Sequence, residues 1–128
     1  MLFRSPTGSG KTTTLYTLLQ QIDLEKRHVI TLEDPIEYSI PGVIQSQVAH
    51  KQGFDFHAGI RSILRQDPDV ILIGEIRDKE TAQSAIDASL TGHLVFSTLH
   101  TKNAFETVIR LRELGIEEYL VTASLTGV

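Results

Sequence analysis

The sequence predicts an α/β domain with a mostly parallel central sheet and helices on both faces. Three observations carry this. Strand-like runs alternate with helical segments of roughly ten residues. The run Val70-Ile71-Leu72-Ile73 is apolar at every position, as a central parallel strand is. No internal repeat or low-complexity linker interrupts the 128 residues.

The elements follow in order. Met1 to Arg4 read as the end of a strand, and the turn Ser5-Pro6-Thr7-Gly8-Ser9-Gly10 leads into a helix from about Lys11. In that helix Leu15, Leu18, Leu19 and Ile22 fall at i, i+3, i+4 and i+7, one buried stripe. His28 to Leu32 read as a strand ending in Glu33-Asp34-Pro35, where proline stops it. After the turn Pro41-Gly42, Val43 to Val48 alternate as a short strand, and Asp55 caps a helix with Phe56, Ile60, Ile63 and Leu64 on one face. Asp78 caps an alanine-rich helix to about Leu90, and Leu94 to Ser97 predict another buried strand. Asn103 with Glu106 forms an asparagine version of the capping box for a helix ending near Gly115, and Ile116 to Leu125 form one further helix.

At 14.2 kDa and 41% hydrophobic content the chain is large enough for one domain with its own core. The net charge is −4 and no like-charge block reaches five residues, so neither an acidic tail nor a basic arm is present, and direct nucleic-acid binding is not expected. Cysteine is absent, which excludes a disulfide framework or a thiolate metal site and is compatible with a reducing compartment. The apolar runs fall far below the roughly 20 residues that span a bilayer, so this piece reads as soluble. No signal peptide is visible, and a chain that opens so close to a glycine-rich turn is expected to continue upstream.

That turn is the most informative stretch. A loop such as Gly8-Ser9-Gly10-Lys11-Thr12, set between a strand and an amphipathic helix, presents backbone N–H groups and a helix N-terminus to phosphate oxygens. Gly8 and Gly10 let the backbone approach the phosphates, Lys11 reaches the β- and γ-phosphates, and the Thr12 hydroxyl can ligate Mg2+. Pro6, Thr7, Gly8, Ser9, Gly10, Lys11, Thr12 and Thr13 are therefore the expected nucleotide-binding residues. The pattern usually opens on glycine, and here Ser5 stands in that place. Serine is nearly harmless at negative φ and strained at positive φ.

Hydrolysis also needs a group that orients or deprotonates water. Glu75 follows the strand that ends at Gly74, and Glu33 and Asp34 follow the earlier strand, with Glu37 close behind. In a parallel sheet those strand ends share the edge of the phosphate loop. A single acid of this kind is more often a cap or a solvated strand end; two clusters after two apolar strands point to an active site. His93 and His100 bracket the segment Leu94 to Leu99. Without a cysteine partner or a two-histidine helical spacing they do not read as a zinc site, and His100, at the strand's end, is better placed to sense a γ-phosphate. Arg77, two residues after Glu75, is the arginine to test as a phosphate contact.

Four stretches together resemble the type II/type IV secretion ATPase family: Ser5 to Tyr16, Thr31 to Tyr38, Leu64 to Asp78 and Thr91 to Thr101. They look like its Walker A, Asp box, Walker B and His box, in that order. The resemblance implies a RecA-like P-loop NTPase core, ATP and Mg2+ as ligands, and a ring, usually hexameric, at the cytoplasmic base of a pilus, pseudopilus or competence machine. It further implies that Lys11 and Thr12 bind phosphate and metal. Glu33 is then the catalytic carboxylate, Asp34 a possible sharer of its role, Glu75 the Walker B acid that reaches Mg2+ directly or through water, and His93 and His100 the His-box pair. The residues around Glu75 and His100 look more like extension than retraction ATPases.

In that family the full protein also has an N-terminal domain that supplies arginines to the site, and a C-terminal region. Residues 1–128 are thus expected to be a partial RecA-like domain that binds ATP weakly and turns it over slowly by itself. An inner-membrane platform protein is the expected partner, and the inner face of the cytoplasmic membrane the expected location. Three alternatives remain open: a nucleotide-binding assembly or regulatory module without efficient turnover, for which Ser5 speaks; a conjugation-type secretion ATPase, a poorer match after Thr91-Gly92-His93; and a DNA translocator, disfavoured by the acidic balance.

Overall fold

A computed structural model describes residues 2–4 and 10–128. Two strands buried at every position, β2 (Val29–Glu33) and β4 (Val70–Ile73), form the centre of the sheet. Around them lie β1 (Leu2–Arg4), β3 (Ile44–Gln47) and β5 (Leu94–Leu99), in the order β1-β5-β4-β2-β3, and every pairing is parallel. The helices are α1 (Lys11–Leu19), α2 (Phe56–Ile63), α3 (Lys79–Leu90), α4 (Ala104–Glu113) and α5 (Glu118–Ser124). No helix among the described residues is long and apolar enough to cross a membrane.

Strand side chains alternate between the two faces, and the core divides accordingly. Val29, Val70, Leu72 and Phe96 pack with Leu15, Tyr16 and Leu19 of α1. Ile30, Leu32, Ile71, Ile73 and Leu99 pack instead with α2, α3, α4 and α5. The same alternation puts Thr31 and Glu33 on the α1 face, beside Val29. At the opposite end of the sheet Asp69 ties β2 to β4, accepting from the His28 backbone N–H at 2.7 Å and from Arg27 at 3.0 Å. Those two donors, the backbone first, hold its carboxyl below the ordinary aspartate range.

The predicted caps form. Asp55 accepts from the Ala58 N–H at 2.8 Å, Asp78 from Thr81 at 2.7 Å and Asn103 from Glu106 at 2.9 Å. The reciprocal half of the Asn103 box differs from expectation: the Glu106 carboxylate accepts from the Asn103 side-chain amide at 3.1 Å and from the Lys102 N–H at 2.7 Å. Asparagine brings an amide donor that a hydroxyl cap lacks, and the carboxylate takes it. Two further expectations need correction. The stripe of α1 runs through Leu15, Tyr16 and Leu19, with Leu18 half-buried. The strand predicted to be buried from Leu94 begins exposed, with Leu94 45% accessible, and is buried from Phe96 onward.

Helix α2 approaches β2 closely enough that a Cβ on Gly59 would lie 2.4 Å from Leu32 Cδ2. Leu32 is itself fully buried, so it has little room to yield. Gly59→Ala is expected to destabilise the fold by about 1–2 kcal/mol, overpacking outweighing the roughly 1 kcal/mol gained in helix propensity. Urea unfolding measures this, and an unchanged midpoint would show that Leu32 rotates away freely.

Candidate active site

Parallel strands deliver their carboxyl ends to one edge of the sheet, where open α/β folds bind ligands. Here that edge carries Glu33 at the end of β2, Gly74-Glu75 after β4 and His100 after β5. The N-terminus of α1 reaches the same place. A cavity of about 620 Å³ lies between them, lined by Lys11, Thr12, Thr13, Glu33, Glu75 and His100 among others. Asp34 and Arg77 also line it. Pro6, Thr7, Gly8 and Ser9, together with Ser5, lie outside the described residues.

Gly10 opens α1 with φ 84°, a left-handed conformation that glycine adopts without strain, and among the described residues no atom beyond its chain neighbours lies within 4 Å of where a Cβ would stand. The helix has no side-chain cap and no acid in its first turn. Its N-terminal dipole end therefore meets the cavity without a carboxylate of its own helix to neutralise it, the arrangement that favours an anion.

The two strand-end glutamates are buried, and each is held differently. Glu33 accepts from the Tyr16 hydroxyl on one oxygen, and on the other from Thr31 Oγ1 at 2.5 Å and Gln45 Nε2 at 3.2 Å. Burial first, and then this hydrogen bond to Glu33, push the Tyr16 hydroxyl far above the ordinary tyrosine range, so it stays a donor. Glu75 is instead ion-paired with Arg77, whose Nη2 lies 2.7 Å from Oε1, and has His100 Nε2 3.5 Å from Oε2. Asp34 is exposed at the rim, its Oδ2 3.2 Å from His50 Nε2.

The structure does not bring His93 to this place. It precedes β5, with Nδ1 2.9 Å from the Ala88 carbonyl and 3.2 Å from Thr91 Oγ1. The six residues of β5 separate it from His100, a span of about 20 Å. The expectation that His93 joins His100 at the nucleotide site as a His-box pair is therefore corrected: residues before a parallel strand lie at the edge opposite the site. Sequence reasoning missed Tyr16, Thr31 and Gln45. A threonine inside the otherwise apolar run Val29 to Leu32 was the available signal, since a polar side chain in a fully buried strand needs a partner.

The whole chain, residues 1–128, matches the model of the family described as type II/IV secretion system protein. The chain belongs to that family. It is 56% identical over its full length to the type II secretion system ATPase E of Vibrio cholerae and covers 25% of that protein. It is 55% identical to the type II secretion system protein E of Klebsiella pneumoniae, covering all of this chain and 26% of the relative. The chain thus spans about a quarter of the length of these curated relatives. Among solved structures, that of the pilus retraction motor PilT with bound ADP superposes with a TM-score of 0.86 at 40% identity, covering 98% of this chain and 40% of that one. The Legionella pneumophila ATPase DotB superposes with a TM-score of 0.78 at 34% identity, covering 95% of this chain and 36% of that one. Together with the all-parallel sheet, these neighbours show a RecA-like ATPase fold for the secretion-family chain.

Proposed function

We propose that these residues form the ATP-binding and hydrolysing core of a motor that powers type II secretion, type IV pilus assembly or competence DNA uptake. The observation that carries this is the meeting in one cavity of the α1 N-terminus, with Lys11 and Thr12, and two buried carboxylates, Glu33 and Glu75. The ADP in the PilT structure supports a nucleotide as the ligand class. Identity of 56% to the Vibrio cholerae secretion ATPase against 40% to the retraction motor favours the secretion arm of the family.

Within the site, the α1 N-terminus and Lys11 hold phosphate. Glu33 orients the attacking water and accepts its proton, and Asp34 stands at the rim. Arg77 and His100 fix the Glu75 carboxylate, and His100 stands where loss of a γ-phosphate would be felt. No group of three or more acids and histidines among the described residues could hold a metal ion. Mg2+ needs only one or two protein oxygens and completes its shell from phosphate and water, and Thr12 and Glu75 both line the cavity. Thr12 and Glu75 would hold it, directly or through water, and when bound it would neutralise charge on the phosphates.

The wider assembly rests on the family resemblance: a homo-oligomeric, hexameric ring at the inner face of the cytoplasmic membrane, working against an inner-membrane platform protein. Subunits in such a ring move against one another as γ-phosphate is lost. The test is Mg2+-dependent ATP hydrolysis by the full-length protein that carries these residues, compared with residues 1–128 alone. Turnover by the full protein and weak binding with slow turnover by the shorter chain are expected. A full-length protein that binds ATP without turnover would instead establish a nucleotide-gated module.

A further inference from the structure

The geometry points to Tyr16 as a positioning residue for Glu33, so that one helix both cradles phosphate and aims the catalytic carboxylate. This inference rests on the role of Glu33 proposed above. Tyr16 is fully buried on the α1 face of the sheet and its hydroxyl donates to one Glu33 oxygen. Thr31 and Gln45 donate to the other oxygen, at 2.5 and 3.2 Å. A carboxylate has about four acceptor sites. Three are therefore occupied by donors from α1, β2 and β3, and what remains lies on the oxygen that Tyr16 holds. A water bound there would be oriented by the direction in which Tyr16 fixes that oxygen.

Tyr16 is itself held in place. It meets Tyr38 edge-on, with ring centroids 4.6 Å apart, and its hydroxyl is kept protonated by its surroundings. It sits five positions after Lys11 on the same helix, about 7.5 Å along the axis. Any shift of α1 on filling or emptying of the phosphate site is transmitted to the Glu33 carboxylate through a rigid element.

The experiment is steady-state ATP hydrolysis by the full-length protein with Tyr16→Phe, Glu33→Gln and both together. Tyr16→Phe is expected to lower kcat by about tenfold or more with KM for ATP within threefold, and to cause little further loss when Glu33 is already Gln, because both substitutions disable one device. Thr31→Val, which keeps the side-chain shape, is expected to lower kcat in the same sense by a smaller factor. If Tyr16→Phe does not fold, a fluorotyrosine at position 16, which keeps the shape and changes only the donor, is expected to shift kcat with KM for ATP unchanged, and an unchanged kcat there would overturn the role of Tyr16. An unchanged kcat in a folded variant, or equal losses in the wild-type and Glu33→Gln backgrounds, would overturn the role of Tyr16. A wild-type protein that does not hydrolyse ATP would sink the proposed function, and this inference with it.

Discussion

Glu75→Gln is expected to lower ATP turnover about 100-fold or more while leaving ATP affinity within a few-fold of wild type. The side chain keeps its size, so the packing of the segment after β4 is preserved. What goes is the negative charge at the centre of the cluster formed by Arg77 and His100. Arg77 loses its ion pair at small cost to the fold, because its side chain is 70% exposed and remains hydrated. His100 loses the carboxylate beside it at the mouth of the cavity. Uniform binding of the triphosphate through α1 is untouched, so the effect falls on kcat and spares KM. Steady-state hydrolysis together with equilibrium binding of a non-hydrolysable ATP analogue separates the two. Turnover within threefold of wild type would show that Glu75 serves only to anchor Arg77 and His100.

How much of this site could be read from the sequence depends on whether the relevant partners are near in the chain. Val70 to Ile73 declared themselves as a central strand because every position is apolar, and Asp55, Asp78 and Asn103 declared three helix starts because a cap acts within three residues. Glu33 and Glu75 followed from the same local logic, as acids that end apolar strands of one parallel sheet. The hydrogen bond from Tyr16 to Glu33 spans 17 positions, and that from Gln45 spans 12. Both depend on which strands are neighbours and which face each residue takes, and helical periodicity says nothing about either. Tyr16 stands one residue after Leu15 and three before Leu19, so it shares their stripe; its ring fills the core while its hydroxyl serves the site. His93 is the opposite case. Its symmetry with His100 exists in the sequence alone, and the direction of β5 sends the two to opposite edges.

Lys11→Ala is the second large effect, and it is expected to fall on binding itself, with ATP affinity reduced about 10- to 100-fold and hydrolysis lost with it. A charged hydrogen bond to phosphate contributes roughly 1.5–3 kcal/mol, and each 1.4 kcal/mol is a factor of ten. The fold should not suffer. Lys11 is the first residue of α1 and only partly buried, and alanine is at least as good a helix former. Unfolding midpoints in the absence of nucleotide should therefore agree for wild type and variant. In saturating ATP only the wild type should gain stability, by the linkage between binding and folding. Lys11→Arg separates charge from shape: it keeps the cation but replaces a compact ammonium by a planar fork with a different hydrogen-bonding geometry. Partial recovery of affinity without recovery of turnover is the expected outcome for that variant. Wild-type affinity in Lys11→Ala would mean that the backbone N–H groups of the turn and of α1 hold the phosphates by themselves.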